Sequence, residues 1–126
     1  MRLTLLSIFA LSVSACGSSS DICDRGASSA ATATAAFKSC GSTTTITFNA
    51  ATCKSATTVC NDADKKAVDV YLDCVGKIPA PACTTGGADN QTKLGAYGTA
   101  AQACQTANTA SAACTTAYAS AQSVAR

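Results

Sequence analysis

Nine cysteines, seven aspartates and no histidine set the chemistry open to this 126-residue chain. Thiols can crosslink, hold soft metals or act as nucleophiles, and their spacing separates these uses. No two cysteines are closer than seven positions, as in Cys53 and Cys60 flanking "KSATTV", so there is no C-x-x-C of the kind that serves thioredoxin-like exchange or a zinc ribbon. Without histidine the chain lacks the commonest general base and the commonest nitrogen ligand for a metal. No G-x-S-x-G, P-loop or dinucleotide fingerprint occurs. The expectation is a protein that is not an enzyme, with no catalytic residue, no metal site and no cofactor.

The carboxylates are Asp21, Asp24, Asp62, Asp64, Asp69, Asp73 and Asp89. Their densest run, "NDADKKAVDVYLD", begins like a calcium loop at Asp62 and Asp64, but Lys66 occupies the next ligand position and the turn glycine is missing. The run makes better sense as the start of a helix. Asp62 and Asp64 suit the positive end of the dipole, and Asp62–Lys66 and Asp73–Lys77 have the stabilising i, i+4 order.

Cys16 stands apart from the other thiols. Arg2, the apolar stretch Leu3 to Val13 and the small residues Ser14 and Ala15 read as an export signal, too short to span a bilayer, which takes roughly 20 apolar residues. An ordinary secretory cleavage would leave Cys16 a free thiol. Val13-Ser14-Ala15-Cys16 also resembles the bacterial lipobox, in which the cysteine sulfur takes a diacylglyceryl group and the freed amine is acylated, commonly by palmitate. Setting Cys16 aside leaves eight cysteines, at 23, 40, 53, 60, 74, 83, 104 and 114, an even disulfide framework for an oxidising compartment. The lipid accounts for the odd thiol, and Gly17-Ser18-Ser19-Ser20 has the composition of a tether. The expected organisation is a removed signal peptide over 1–15, a lipidated tether over 16–22 and a single domain over 23–126. Gly17 after the cysteine resembles an outer-membrane address, on either the periplasmic face or the cell surface.

Positioning these cysteines falls to a chain poor in bulky groups. Alanine contributes 28 residues, whereas Val, Ile, Leu, Phe and Tyr after Cys16 total only fifteen. Four disulfides at about 3 kcal/mol each therefore decide whether the domain folds. Periodicity predicts an all-α fold, a small disulfide-stapled bundle of four to five short Ala-rich helices. Cys23, Gly26, Ala30, Ala33, Phe37 and Cys40 form one helical seam, ended by Gly41 in a left-handed cap. "STTTITFN" reads as an extended connector or an isolated strand. Asn49 caps a short helix through Cys60, and Asn61 or Asp62 caps a third through Gly76, stopped by Pro79 and Pro81. Its stripe is Ala67, Tyr71, Cys74 and Ile78, with Val68, Leu72 and Val75 beside it. Leu94, Tyr97, Ala101 and Cys104 form another stripe, out of phase with Cys114, Tyr118, Ala121 and Ala125, which places a break near Thr106 to Thr109 with Asn108 or Thr109 as the new cap.

Cys53 and Cys60, seven apart on a helix, lie about 10.5 Å apart and beyond disulfide reach, so each must join a different neighbour. Cys74 and Cys83 are within local reach across the Pro79–Pro81 turn, and the remaining connectivities stay open.

After loss of Arg2 the charged side chains number eight basic and seven acidic, with no basic cluster, so no nucleic-acid partner is expected. The expected partners are the membrane, through the N-terminal lipid, and an unknown envelope or surface protein. The pattern Asp64, Asp69, Tyr71, Cys74, Pro79 and Cys83, behind a lipobox and among eight cysteines, resembles the small cysteine-rich lipoproteins of myxobacteria. That resemblance implies location and fold, and carries no activity. Cys53 to Cys74 is similar to elicitins, helical sterol carriers with six cysteines. The Ala/Thr runs look like helical ice-binding proteins, but the eleven-residue pairs Thr32–Thr43 and Thr34–Thr45 run past Gly41, off the predicted helix. The function expected is a structural or protein-binding role at the outer membrane; the alternative is a lipid or sterol carrier. A cavity lined by Tyr71, Leu72, Val75, Leu94 and Tyr97 would favour the carrier, whereas close-packed alanine seams predict a solid core.

Overall fold

The computed structural model describes residues 21–126, so the signal segment and Cys16 lie outside the described residues. Five helices carry the fold: α1 (Ile22–Ser39), α2 (Ala50–Ala56), α3 (Asp62–Gly76), α4 (Asn90–Ala107) and α5 (Ala112–Ala119). Two short strands, β1 (Thr45–Phe48) and β2 (Gln122–Ala125), complete it. The domain is the disulfide-stapled helical bundle that the periodicity predicts, with a small two-stranded sheet added.

Local chemistry sets the boundaries. Asp21 caps α1, accepting from the Cys23 amide at 2.9 Å, and Ile22 packs into the core, so both belong to the folded domain. Gly41, at φ +77°, ends α1: its amide donates to the Lys38 carbonyl and that of Ser42 to the Phe37 carbonyl, a Schellman arrangement. Asn49 caps α2, which gives way to a 3₁₀ turn over Thr57–Val59 before Cys60. Asn61 and Asp64 form a reciprocal capping box on α3. Between α4 and α5 the chain breaks as the phase shift predicts, but the new cap is Ser111 rather than Asn108 or Thr109. Ser111 is chosen because it is held from outside: its amide and hydroxyl donate to the Asp64 carboxylate at 2.7 and 2.9 Å.

The C-terminal stripe is a correction. Ala121 and Ala125 do not continue α5; the chain turns after Ser120 and runs extended as β2, antiparallel to β1 with Ile46 opposite Val124. A lone β1 would leave both edges of its backbone unpaired. β2 pairs one edge, and on the other Thr34 of α1 takes both groups of Ile46, donating to its carbonyl at 3.0 Å and accepting from its amide at 2.8 Å.

Disulfides join Cys23–Cys53, Cys40–Cys83, Cys60–Cys114 and Cys74–Cys104, with Cα–Cα separations from 4.9 to 5.7 Å. Cys53 and Cys60 join different neighbours, α1 and α5, as helical geometry requires. Cys74 and Cys83 do not pair. Cys74 faces α4 and meets Cys104 on its stripe, while the loop after α3 carries Cys83 back to the C-terminal end of α1. That loop is fastened by buried Asn90, whose amide donates to the Thr84 carbonyl at 2.8 Å and whose oxygen accepts from the Thr84 amide at 3.2 Å.

The core grows around sulfur. Its buried cluster is Ile22, Cys23, Cys53, Cys60, Val68, Leu72, Cys114 and Ala121, and Cys23, Cys53 and Cys114 are the largest side chains that are fully buried. Two cystines thus occupy the place that Leu and Phe hold in richer sequences. At the surface, Arg25 of α1 pairs with Asp69 and Asp73 of α3, and Lys54 of α2 reaches Asp21 at 3.2 Å and Asp24 at 3.0 Å. Among the described residues neither Asp62–Lys66 nor Asp73–Lys77 closes, and Asp73 turns to Arg25 instead.

Candidate cleft between the helices

The buried core is centred on cystine rather than on alanine seams, and beside it the surface is indented. Small side chains on α1 let its neighbours approach, but they leave space between α1, β1, α3 and α4. A cleft of about 200 Å³ opens there, bounded by Ala30 and Ala33 of α1, Phe48 of β1, Leu72 and Val75 of α3, and Tyr97 of α4. Tyr71 and Tyr118 also face it. Of the five residues that would mark a carrier's cavity, Tyr71, Leu72, Val75 and Tyr97 are brought together. Leu94 is not; it faces a separate surface hollow beside Cys40 and Gly41.

Gly26 sets the closest approach in this region. A Cβ there would fall inside contact distance of the Tyr118 hydroxyl and 2.8 Å from Phe48 Cζ. The absence of that atom lets Tyr118 lie across α1, with its ring 5.0 Å from that of Phe48 and its hydroxyl donating to the Ile22 carbonyl at 3.5 Å. Burial pushes the Tyr118 phenol well above its ordinary pKa, with Tyr71 adding to the shift, so it stays protonated and a donor. Tyr71 is raised for the same cause, burial first and then its neighbour Tyr97. The three tyrosines that periodicity places on helical stripes are thus half-buried walls.

A second cavity of about 360 Å³ adjoins the first along Tyr71, Tyr118 and Gln122. Its remaining wall includes Gln105, Asn108, Thr109 and Thr115, all polar and uncharged. Sequence reasoning missed this half, because it depends on α5 and β2 turning away from α4 at a joint whose direction no residue pattern records.

Elsewhere Asp64 acts as a structural acceptor. Asp64 takes the Ser111 amide, the Ser111 hydroxyl and the Asn61 amide, and the Ser111 backbone bond leads in holding its carboxyl below the usual range. Among the described residues no three Cys, Asp, Glu or His side chains come together to hold a metal ion. No described helix is long and apolar enough to cross a membrane. No family model, curated protein or solved structure matches the chain.

Proposed function

We propose that the chain is an outer-membrane lipoprotein, anchored through Cys16, whose stapled domain binds a small apolar ligand at the cell envelope rather than catalysing a reaction. The observation that carries the binding role is the cleft walled by Tyr71, Leu72, Val75 and Tyr97. The cleft is open on one side, and its aromatic and aliphatic walls offer an apolar ligand contact area that otherwise faces water. The exposed large aliphatics are Val59, Val70 and Val124, each on a different element, so they supply no comparable argument for a protein partner. The export signal and lipobox-like Val13–Cys16 support the anchor, as does the resemblance to small cysteine-rich lipoproteins.

Native mass spectrometry of the protein purified from its own membranes tests both parts. The reading expects acyl mass on Cys16, eight hydrogens fewer than the reduced chain, and small adducts lost on gentle activation. An unmodified N-terminal cysteine would remove the anchor. A ligand-free spectrum, joined to failure of the protein to take up the apolar dye N-phenyl-1-naphthylamine, would remove the binding role.

A further inference from the structure

The two adjoining cavities differ in character. Ala30, Ala33, Phe37, Ile46, Leu72 and Val75 make the first mostly apolar, whereas the second is mixed, with the amides and hydroxyls of Gln105, Asn108, Thr109 and Thr115 set beside Val68, Ala110 and Ala119. Among the described residues no Asp, Lys or Arg lines either one. Arg25 lines a third hollow that shares Leu72, Val75 and Tyr97 with the first, and there it pairs with Asp69 and Asp73.

We infer that the cleft takes a neutral amphiphile, with a short apolar tail between α1 and α3 and an uncharged hydroxyl- or amide-rich head against Gln105 and Gln122. This rests on the binding role proposed above and names its ligand class. Size supports the division. A cavity of about 150 Å³ holds one benzene, roughly 25 Å³ per heavy atom, so the apolar chamber has room for about eight heavy atoms and the polar one for about fourteen. That suits an octyl-length chain and a single sugar-sized head, and is small for a steroid nucleus. Charge supports it too, since the walls of both cavities offer no counter-charge to an ionised head. The polar wall has donors and acceptors to offer: among the described residues the side-chain amides of Gln105 and Gln122 bond no other protein group. The Tyr71 hydroxyl, at the junction of the two chambers, is likewise without a protein partner among them, whereas Tyr118 is held by Ile22.

Octyl glucoside below its micellar threshold, octanoate, octyltrimethylammonium and 1-octanol serve as probes, titrated calorimetrically into the oxidised protein. The expected result is one octyl glucoside per chain with a dissociation constant below about 1 mM. The two charged compounds should bind about tenfold more weakly or worse. Ala33→Leu, which fills the apolar chamber, should weaken every octyl compound about tenfold. Gln105→Ala, at an exposed position that leaves the core alone, should weaken octyl glucoside several-fold and leave 1-octanol unchanged. Equal binding of the charged probes, or an unchanged octyl glucoside affinity in Gln105→Ala, overturns the assignment of a neutral head while the binding role stands. Failure of all four compounds to bind overturns both.

Discussion

Gly26→Ala tests the packing argument by its sign. Within an exposed helix, replacing Gly by Ala stabilises by about 1 kcal/mol, because the unfolded backbone loses freedom. At Gly26 the new Cβ meets the Tyr118 hydroxyl and stands 2.8 and 2.9 Å from two ring atoms of Phe48. The tyrosine can swing aside only by giving up the Ile22 carbonyl, and Phe48 is fixed on the paired strand β1. Overpacking of this kind costs about 1–3 kcal/mol, which exceeds the propensity gain and leaves a net loss of about 1 kcal/mol or somewhat more. For a domain of this size that lowers Tm by roughly 4–8 °C. Gly95, on α4 with nothing within 4 Å of its would-be Cβ, is the control, and Gly95→Ala should raise Tm by a similar amount. Thermal melts followed by circular dichroism, with disulfides intact, compare the two variants directly. A Gly26→Ala protein at least as stable as the parent would refute the close approach of α1, β1 and α5 on which the cleft's shape depends.

Three further outcomes are expected. Thr34→Val keeps the shape of the side chain on α1 but removes both hydrogen bonds to Ile46, so it should cost about 1–2 kcal/mol in guanidinium unfolding; an unchanged midpoint would mean that water replaces the threonine freely. Loop closure alone gives Cys60–Cys114 and Cys40–Cys83, with separations of 54 and 43 residues, about 4 kcal/mol each. Because Cys114 is fully buried and Cys83 is not, Cys60→Ala with Cys114→Ala should destabilise more than Cys40→Ala with Cys83→Ala, and equal losses would deny the first pair its place in the core. The depressed folded-state pKa of Asp64 means that the unfolded chain binds the proton more readily, so its contribution is complete above the unfolded value near 4 and fades as pH falls below it. Asp64→Asn should therefore lower stability at pH 7 and flatten the acid limb of the stability profile; a parallel acid limb in the variant would assign the loss to other groups.

The helices were legible because their signals are local. The seam Cys23, Gly26, Ala30 recurs at helical spacing, Gly41 and Asn49 mark a stop and a start, and the phase slip between Cys104 and Cys114 marks the joint. The mutual exclusion of Cys53 and Cys60 followed from the rise of a helix. Long-range choices were not legible. Cys83 pairs with Cys40 because a loop folds back across α1 under the hold of Asn90, and no spacing in the sequence records that path. β2 takes an extended form because β1 needs a partner, so "QSVA" acquires its conformation from residues 76 positions away. The same limit applies to the cleft. Small side chains signal close helix approach, but whether they close the interior or leave it open depends on where Tyr71, Tyr97 and Tyr118 come to rest.

The central claim is that cystine replaces aliphatic bulk as the organising material of this domain, and reduction tests it most directly. The protein is unfolded with reductant, returned to native buffer with the reductant kept present, and melted alongside the oxidised form under circular dichroism. A cooperative transition is expected for the oxidised domain and a featureless, non-cooperative trace for the reduced chain, with dye uptake lost. A reduced chain that regains a sharp melt would contradict it, because Val68, Leu72, Ile22 and their alanine neighbours would then suffice without sulfur crosslinks.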